Sequence, residues 1–256
     1  MMSIATAVYV DGYNLYYGRI RNTSFKWIDL LRLFEIVLRD QDPTSDLEHL
    51  HYFTAMALGR FSTHGGASVA AQESFLRAHE HLHPRRFLKT LGKHSMDRKG
   101  VLLPVFNPGT AYDRSRRTRV WRIEEKQTDV NIALAMYRDA ASGRYAQMVI
   151  CSNDSDVEPV LRAIREDFPQ VRLGVVTPRH PPASGGPTGR AVSSSLDNQA
   201  DWTRAHLLDD ELRRALLPPR VQTGRKPSPS QLTGNTFEVL ANIFSQHRKP
   251  GSTLAQ

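Results

Sequence analysis

One cysteine, Cys151, occurs in 256 residues. That excludes an intramolecular disulfide framework, and with it the small secreted scaffolds that depend on one. Long apolar runs are also missing. Ala146 to Cys151, interrupted by Gln147, falls far short of the roughly 18 residues a spanning helix needs. Met1 to Val10 has no basic flank and leads straight into Asp11-Gly12, so it does not read as a signal peptide. A cytoplasmic protein without a membrane partner is the expectation. Three catalytic patterns are absent as well. There is no phosphate loop, and no Gly-x-Gly-x-x-Gly follows the first apolar run. No nucleophile elbow surrounds Ser152 or Ser155. Tyr13 stands two residues after Asp11, where a haloacid-dehalogenase-type phosphatase would carry a second aspartate.

What is present is a core-forming composition, 40% hydrophobic, with a formal charge of +8. The charge is segregated. Arg85 to Arg122 holds eleven basic residues against Asp97 and Asp113. The stretch from Pro218 to Gln256 holds five against Glu238. The rest of the chain is therefore net acidic. A basic middle and a basic tail flank an acidic body.

Periodicity predicts strands over Ala5–Val10, Leu50–Leu58, Phe87–Leu91, Val120–Ile123, Gln147–Cys151 and Val171–Val176. It predicts helices over Ile28–Arg39, Ala67–His83, Thr128–Ala141, Ser155–Phe168 and Trp202–Leu217. Ser155 and Glu158 have the spacing of a capping box. Gly92 to Arg119 reads as a loop or protruding arm, in hairpin form if ordered. Alternating strands and helices imply an α/β fold with a mostly parallel sheet. Residues 1–217 read as one domain with a basic arm at about 92–122, followed by a poorly ordered tail, 218–256.

Asp11 ends the first strand, Asp129 opens a helix, and Asp154 and Asp156 follow the strand ending at Cys151. Open α/β sheets place their sites at such carboxyl ends. Taken singly, each aspartate reads first as a turn or helix cap. Together they suggest a carboxylate cluster, and clustered carboxylates call for a hard cation such as Mg²⁺ or Mn²⁺. Such ions activate water for phosphodiester cleavage.

These residues carry a resemblance. Val8-Tyr9-Val10-Asp11-Gly12-Tyr13-Asn14-Leu15-Tyr16-Tyr17-Gly18 resembles the opening motif of NYN domains. Glu124 to Ala133 and Val149 to Asp156 resemble their second and third motifs. The resemblance covers roughly residues 4–217. NYN domains belong to the PIN-like nuclease superfamily and are described as Mg²⁺-dependent ribonucleases of RNA processing or decay. The resemblance implies a three-layer α/β/α PIN-like fold with five strands in the order 3-2-1-4-5. By motif, Asp11, Asp129, Asp154 and Asp156 match the catalytic and metal-binding cluster. Asn14 matches its polar partner, and Ser152 and Asn153 match the loop that shapes the pocket. Gln127 departs from the glycine expected after Lys126.

Lys126 is a candidate phosphate contact and otherwise a solvated lysine. Glu124 and Glu125 read as surface residues first and as extra carboxylates second. His79, His81 and His83 read as solvated rather than as zinc ligands. Arg114, Arg116, Arg117 and Arg119, with Trp121 and Tyr112 nearby, form a candidate surface for an RNA backbone and its bases. The expected activity is a metal-dependent ribonuclease acting on single-stranded or structured RNA. The alternatives are a non-catalytic RNA- or protein-binding module of the same fold, and a toxin or defence nuclease. A homodimer or protein partner stays open.

Overall fold

A computed structural model describes residues 3–62, 64–182 and 192–221. In chain order the strands are β1 (Ile4–Asp11), β2 (Ser45–Thr54), β3 (Phe87–Leu91), β4 (Lys93–Met96), β5 (Val101–Pro104), β6 (Arg117–Val120), β7 (Ile123–Lys126), β8 (Gln147–Cys151), β9 (Arg172–Val176) and β10 (Trp202–Arg204). The helices are α1 (Gly12–Leu15), α2 (Leu30–Gln41), α3 (Gly66–Leu82), α4 (Thr128–Ser142), α5 (Glu158–Asp167), α6 (Ser194–Asp197) and α7 (Asp209–Arg214). A single π-helical turn, Tyr16–Ile20, continues α1.

Six strands form the central sheet in the order β10-β9-β8-β1-β2-β3. All five pairings are parallel. β1 is buried on both faces, as parallel strands between helical layers are. Its Val8 and Val10 join a core with α2, Leu76 of α3 and Leu212 of α7. Its Ala7 and Tyr9 join a second core with α4, α5 and Leu196 of α6. The result is the expected three-layer α/β/α arrangement.

The five expected strands keep the order 3-2-1-4-5, and β10 adds a sixth. Trp202–Leu217 is therefore not one helix, but a strand followed by the shorter α7. The cause is tertiary. The Trp202 ring lies over Gly174 of β9, where an added Cβ would collide with it. Its indole N–H donates to Gln147 Oε1 at 3.1 Å. Gln147 in turn donates to Thr6 Oγ1 at 3.1 Å and Ser45 Oγ at 2.9 Å. The interruption in the apolar run is thus a satisfied polar tie across four strands.

Other expectations shift locally. The strand expected over Val120–Ile123 is split at Trp121–Arg122 between β6 and β7. The helix expected from Ser155 starts with a 3₁₀ turn, Ser155–Val157, capped by Asp154 rather than Ser155. Asp154 Oδ1 accepts from the Asp156 N–H at 3.2 Å.

His79 and His83 are not solvated helix-end residues. His79 is fully buried, accepting from Leu30 N–H at 3.0 Å and donating from Nδ1 to Phe75 O at 2.8 Å. His83 lies 2.9 Å from Asp29, which caps α2 through Arg32 N–H. Cys151 is buried, as a small hydrophobe in an apolar strand. Among the described residues, no helix is long and apolar enough to cross a membrane. The tail from residue 222 lies outside the described residues, including Thr236–Phe244, where the sequence pattern suggests a short terminal helix.

Candidate functional site: a carboxylate cleft at the sheet edge

Asp11 is the last residue of β1, flanked by β2 and β8. It is 3% exposed. Its Oδ1 accepts the backbone N–H of Asn14 at 2.9 Å. Its Oδ2 accepts Asn14 Nδ2 at 3.1 Å and Ser152 Oγ at 3.2 Å. Asn14 Oδ1 accepts the backbone N–H of Asn153 at 3.1 Å, and Ser152 Oγ accepts that of Asp154 at 3.1 Å. Asn153 Oδ1 accepts Ser193 N–H at 2.9 Å. Asn14, Ser152 and Asn153 therefore lace the loop after β8 to the end of β1.

Burial raises the Asp11 carboxyl, the hydrogen bonds from Asn14 and Ser152 oppose it, and the charge of Asp154 adds to the rise. Asp129 lies in the first turn of α4. Its carboxyl is pushed up to about 6, first by burial and then by Asp11, Asp154 and Asp156. All four predicted aspartates thus share one electrostatic neighbourhood.

The backbone at Gln127 explains how α4 enters this neighbourhood. Gln127 has φ 79°, the left-handed region that favours glycine. The departure from the expected glycine thus keeps the glycine backbone conformation, with a non-glycine side chain held in it.

Glu125 reads first as a surface residue on sequence, and in the structure it is half-buried against the start of α4. Alternate strand residues face opposite ways. On β7, Glu124 pairs with Arg122 and with Lys126, whose Nζ is 2.9 Å away. Glu125 instead accepts from the Thr128 hydroxyl. Its carboxyl is raised by burial, against the Thr128 bond, with Asp11 and Asp129 pushing further upward. The signal available in sequence was this alternation next to the Asp129 helix. Lys126, being paired with Glu124, is partly committed already.

The arm is two antiparallel ribbons, β4 with β7 and β5 with β6. The first borders the cleft, where the Tyr13 hydroxyl lies 3.3 Å from His94 Nε2. Arg114, Arg116 and Arg117 are exposed on the second ribbon and its approach. Arg119 is also exposed but donates to Lys99 O at 2.8 Å and Gly100 O at 3.3 Å. Trp121 is 69% exposed, and Phe106, not singled out by sequence, is 85% exposed.

Two further features escaped the sequence reading. Arg19 is wholly buried, donating from Nε to Leu207 O at 2.9 Å and pairing with Asp209. It pins the π-helical turn to the segment before α7. Above it, Tyr13, Tyr16 and Tyr17 form a ring cluster. Tyr17 centroids lie 5.8 Å from Tyr13 and 5.1 Å from Tyr16, and the Arg21 guanidinium sits 5.3 Å over the Tyr17 ring.

For a divalent cation, the donors have suitable chemistry, being all carboxylate oxygens, but their spacing is open. Among the described residues, no three of His, Cys, Asp and Glu converge closely enough to hold an ion between them. Mg²⁺ does not require such a cage, because it commonly keeps several waters and takes one or two carboxylates. Carboxylate oxygens this far apart suit a partly hydrated Mg²⁺ or Mn²⁺ better than a stripped ion.

A parallel α/β/α sheet with carboxylates gathered where β1, β8 and α4 meet defines a nuclease-like fold. The NYN domain profile matches residues 5–185, and the chain belongs to the NYN domain family. Among curated proteins it is similar to the 6-hydroxy-3-succinoylpyridine 3-monooxygenase HspA of Pseudomonas putida (strain DSM 28022 / S16). The two are 36% identical over 238 residues, 88% of this chain and 73% of that protein. Among solved structures it is similar to a protein of unknown function, VPA0982 from Vibrio parahaemolyticus RIMD 2210633. That match has a TM-score of 0.46 and 18% identity, covering 84% of this chain and 97% of that one.

Proposed function

We propose that this protein is a metal-dependent ribonuclease whose site is the carboxylate cleft. The observation that supports it is the rise of Asp129 to about 6 with Asp11, Asp154 and Asp156 among its causes. Four acids that repel one another at neutral pH form a well for a cation. One or two of Asp11, Asp129, Asp154 and Asp156 would hold a partly hydrated Mg²⁺ or Mn²⁺, which when bound supplies activated water and charge stabilisation for phosphodiester hydrolysis.

The chain's own residues do the rest. Asn14 and Ser152 fix both oxygens of Asp11. With its carboxyl raised to about 6, Asp129 would be partly protonated below that pH and would then hold a cation less well. The arginines of the arm draw in the phosphate backbone. The test is cleavage of labelled RNA and DNA with Mg²⁺ or Mn²⁺ and with excess chelator. Metal-dependent RNA cleavage supports the reading; cleavage that persists in chelator contradicts it.

The similarity to a 6-hydroxy-3-succinoylpyridine 3-monooxygenase favours a second reading, oxygenation of a pyridine. Uptake of O₂ with 6-hydroxy-3-succinoylpyridine and a two-electron reductant such as NADH, in protein that cleaves no RNA, would establish it.

A further inference from the structure

We infer that Tyr16 and Tyr17, with Tyr13 behind them and Arg21 above, form a stacking platform for an unpaired nucleobase beside the cleft. This rests on the ribonuclease reading and names its substrate class as single-stranded RNA.

Tyr16 and Tyr17 are 40% and 57% exposed, unusual for adjacent large aromatics on a well-packed element. They are not loosely held. The turn that carries them is clamped at Gly18 and at the residue after it. An added Cβ on Gly18 would collide with the Pro178 carbonyl, so the turn lies directly on the loop after β9. The next residue, Arg19, is the wholly buried anchor to Leu207 O and Asp209. The backbone of the turn is therefore fixed while both rings stay exposed, which reduces the entropy cost of binding. Tyr17 meets Tyr16 nearly perpendicular, at 85°, and Tyr13 at a tilt of 30°.

The platform joins the cleft through Tyr13, two residues after Asp11, whose hydroxyl meets His94 of the arm. Glu125, which senses Asp11 and Asp129, also acts on Tyr13. A base entering over Tyr17 meets the Arg21 guanidinium, 5.3 Å from that ring, whose charge suits a flanking phosphate. A duplex cannot present a base face to such a surface without unpairing, so the platform selects single strands.

The experiment measures binding by the cleavage-impaired Asp154→Asn protein, without metal, to a single-stranded RNA and to a duplex of the same length. Adding Tyr16→Ala and Tyr17→Ala should weaken single-strand binding by about fivefold or more, the loss expected for one stacked base. Duplex binding should change less than twofold. Tyr17→Phe, which keeps the ring, should restore most of the loss. Unchanged single-strand affinity, or equal losses for strand and duplex, overturns the platform while leaving the ribonuclease reading intact. No RNA binding by any form, with wild-type protein that cleaves none, overturns both. Saturable binding of 6-hydroxy-3-succinoylpyridine that Tyr17→Ala abolishes, without an effect on RNA, overturns the nucleobase in favour of a small heteroaromatic ligand.

Discussion

Replacing Asp129 by asparagine removes one charge from the cleft while keeping the side chain's shape. Folding raises this carboxyl from its ordinary 3.8 to about 6. At about 1.4 kcal/mol per tenfold change, that is about 3 kcal/mol of strain on the charged form. Asp129 is only partly buried, and solvent screening reduces the figure to about 1.5 kcal/mol. Its place in the first turn of α4 works the other way, by about 0.5 kcal/mol, because a helix N-terminus favours a negative charge. About 1 kcal/mol of net destabilisation remains. Because the folded value lies above the unfolded one, this penalty is absent below about pH 4, grows through the interval, and is complete above about pH 6. Asp129→Asn should therefore be more stable than wild type by about 1 kcal/mol at pH 7.5, or about 2–4 °C in Tm for a domain of this size. The advantage should largely vanish at pH 3.5. Thermal or urea unfolding of both proteins in chelator checks this. With Mg²⁺ at ten times its Kd the order should narrow or reverse, since binding adds about 1.4 kcal/mol to the wild type alone. A variant that is less stable at pH 7.5, or whose gain is equal at both pH values, refutes the shared-charge reasoning.

Other perturbations test separate parts of the account. Gln127→Gly relieves a left-handed non-glycine residue and should stabilise by about 0.5 kcal/mol after the entropy of the unfolded chain is counted, measured by urea unfolding. Arg19→Met should destabilise by about 2–3 kcal/mol, since the Leu207 carbonyl loses its buried donor, and Arg19→Lys should not rescue it because the guanidinium fork is lost. Replacing Arg114, Arg116 and Arg117 by serine should flatten the log–log salt dependence of single-stranded RNA binding by about 0.7 for each phosphate contact removed. An unchanged slope places the RNA path elsewhere.

The layers and the order of the first five sheet strands were readable because local pattern and motif agree. β1 and β8 are short apolar runs ending in acids, and helices separate them. What sequence misplaced depends on partners far along the chain. Trp202 enters a strand because Gly174 and Gln147 receive its ring and N–H, and neither signal lies within its own window. Asp154 displaces Ser155 as cap because its carboxylate reaches the Asp156 N–H, a choice that motif spacing leaves open. His79 looked solvated at a helix end, yet α2 packs over it and uses its ring as an acceptor. Glu125 differs from Glu124 only by strand alternation, which sets one carboxylate toward Thr128 and the other toward basic side chains. Tyr16 and Tyr17 sit inside the motif that carries Asp11, and their exposure is set by the π-helical turn, which no local pattern marks.

If the carboxylate site cleaves RNA with the help of a divalent cation, the deciding quantity is the rate of cleavage of a labelled single-stranded RNA in Mg²⁺ by wild type and by Asp154→Asn at matched folded concentration. The wild type should cleave, and the variant should lose at least about a hundredfold, the scale of removing one charge-stabilising group. Equal rates in the two proteins, or no cleavage by either, would contradict it.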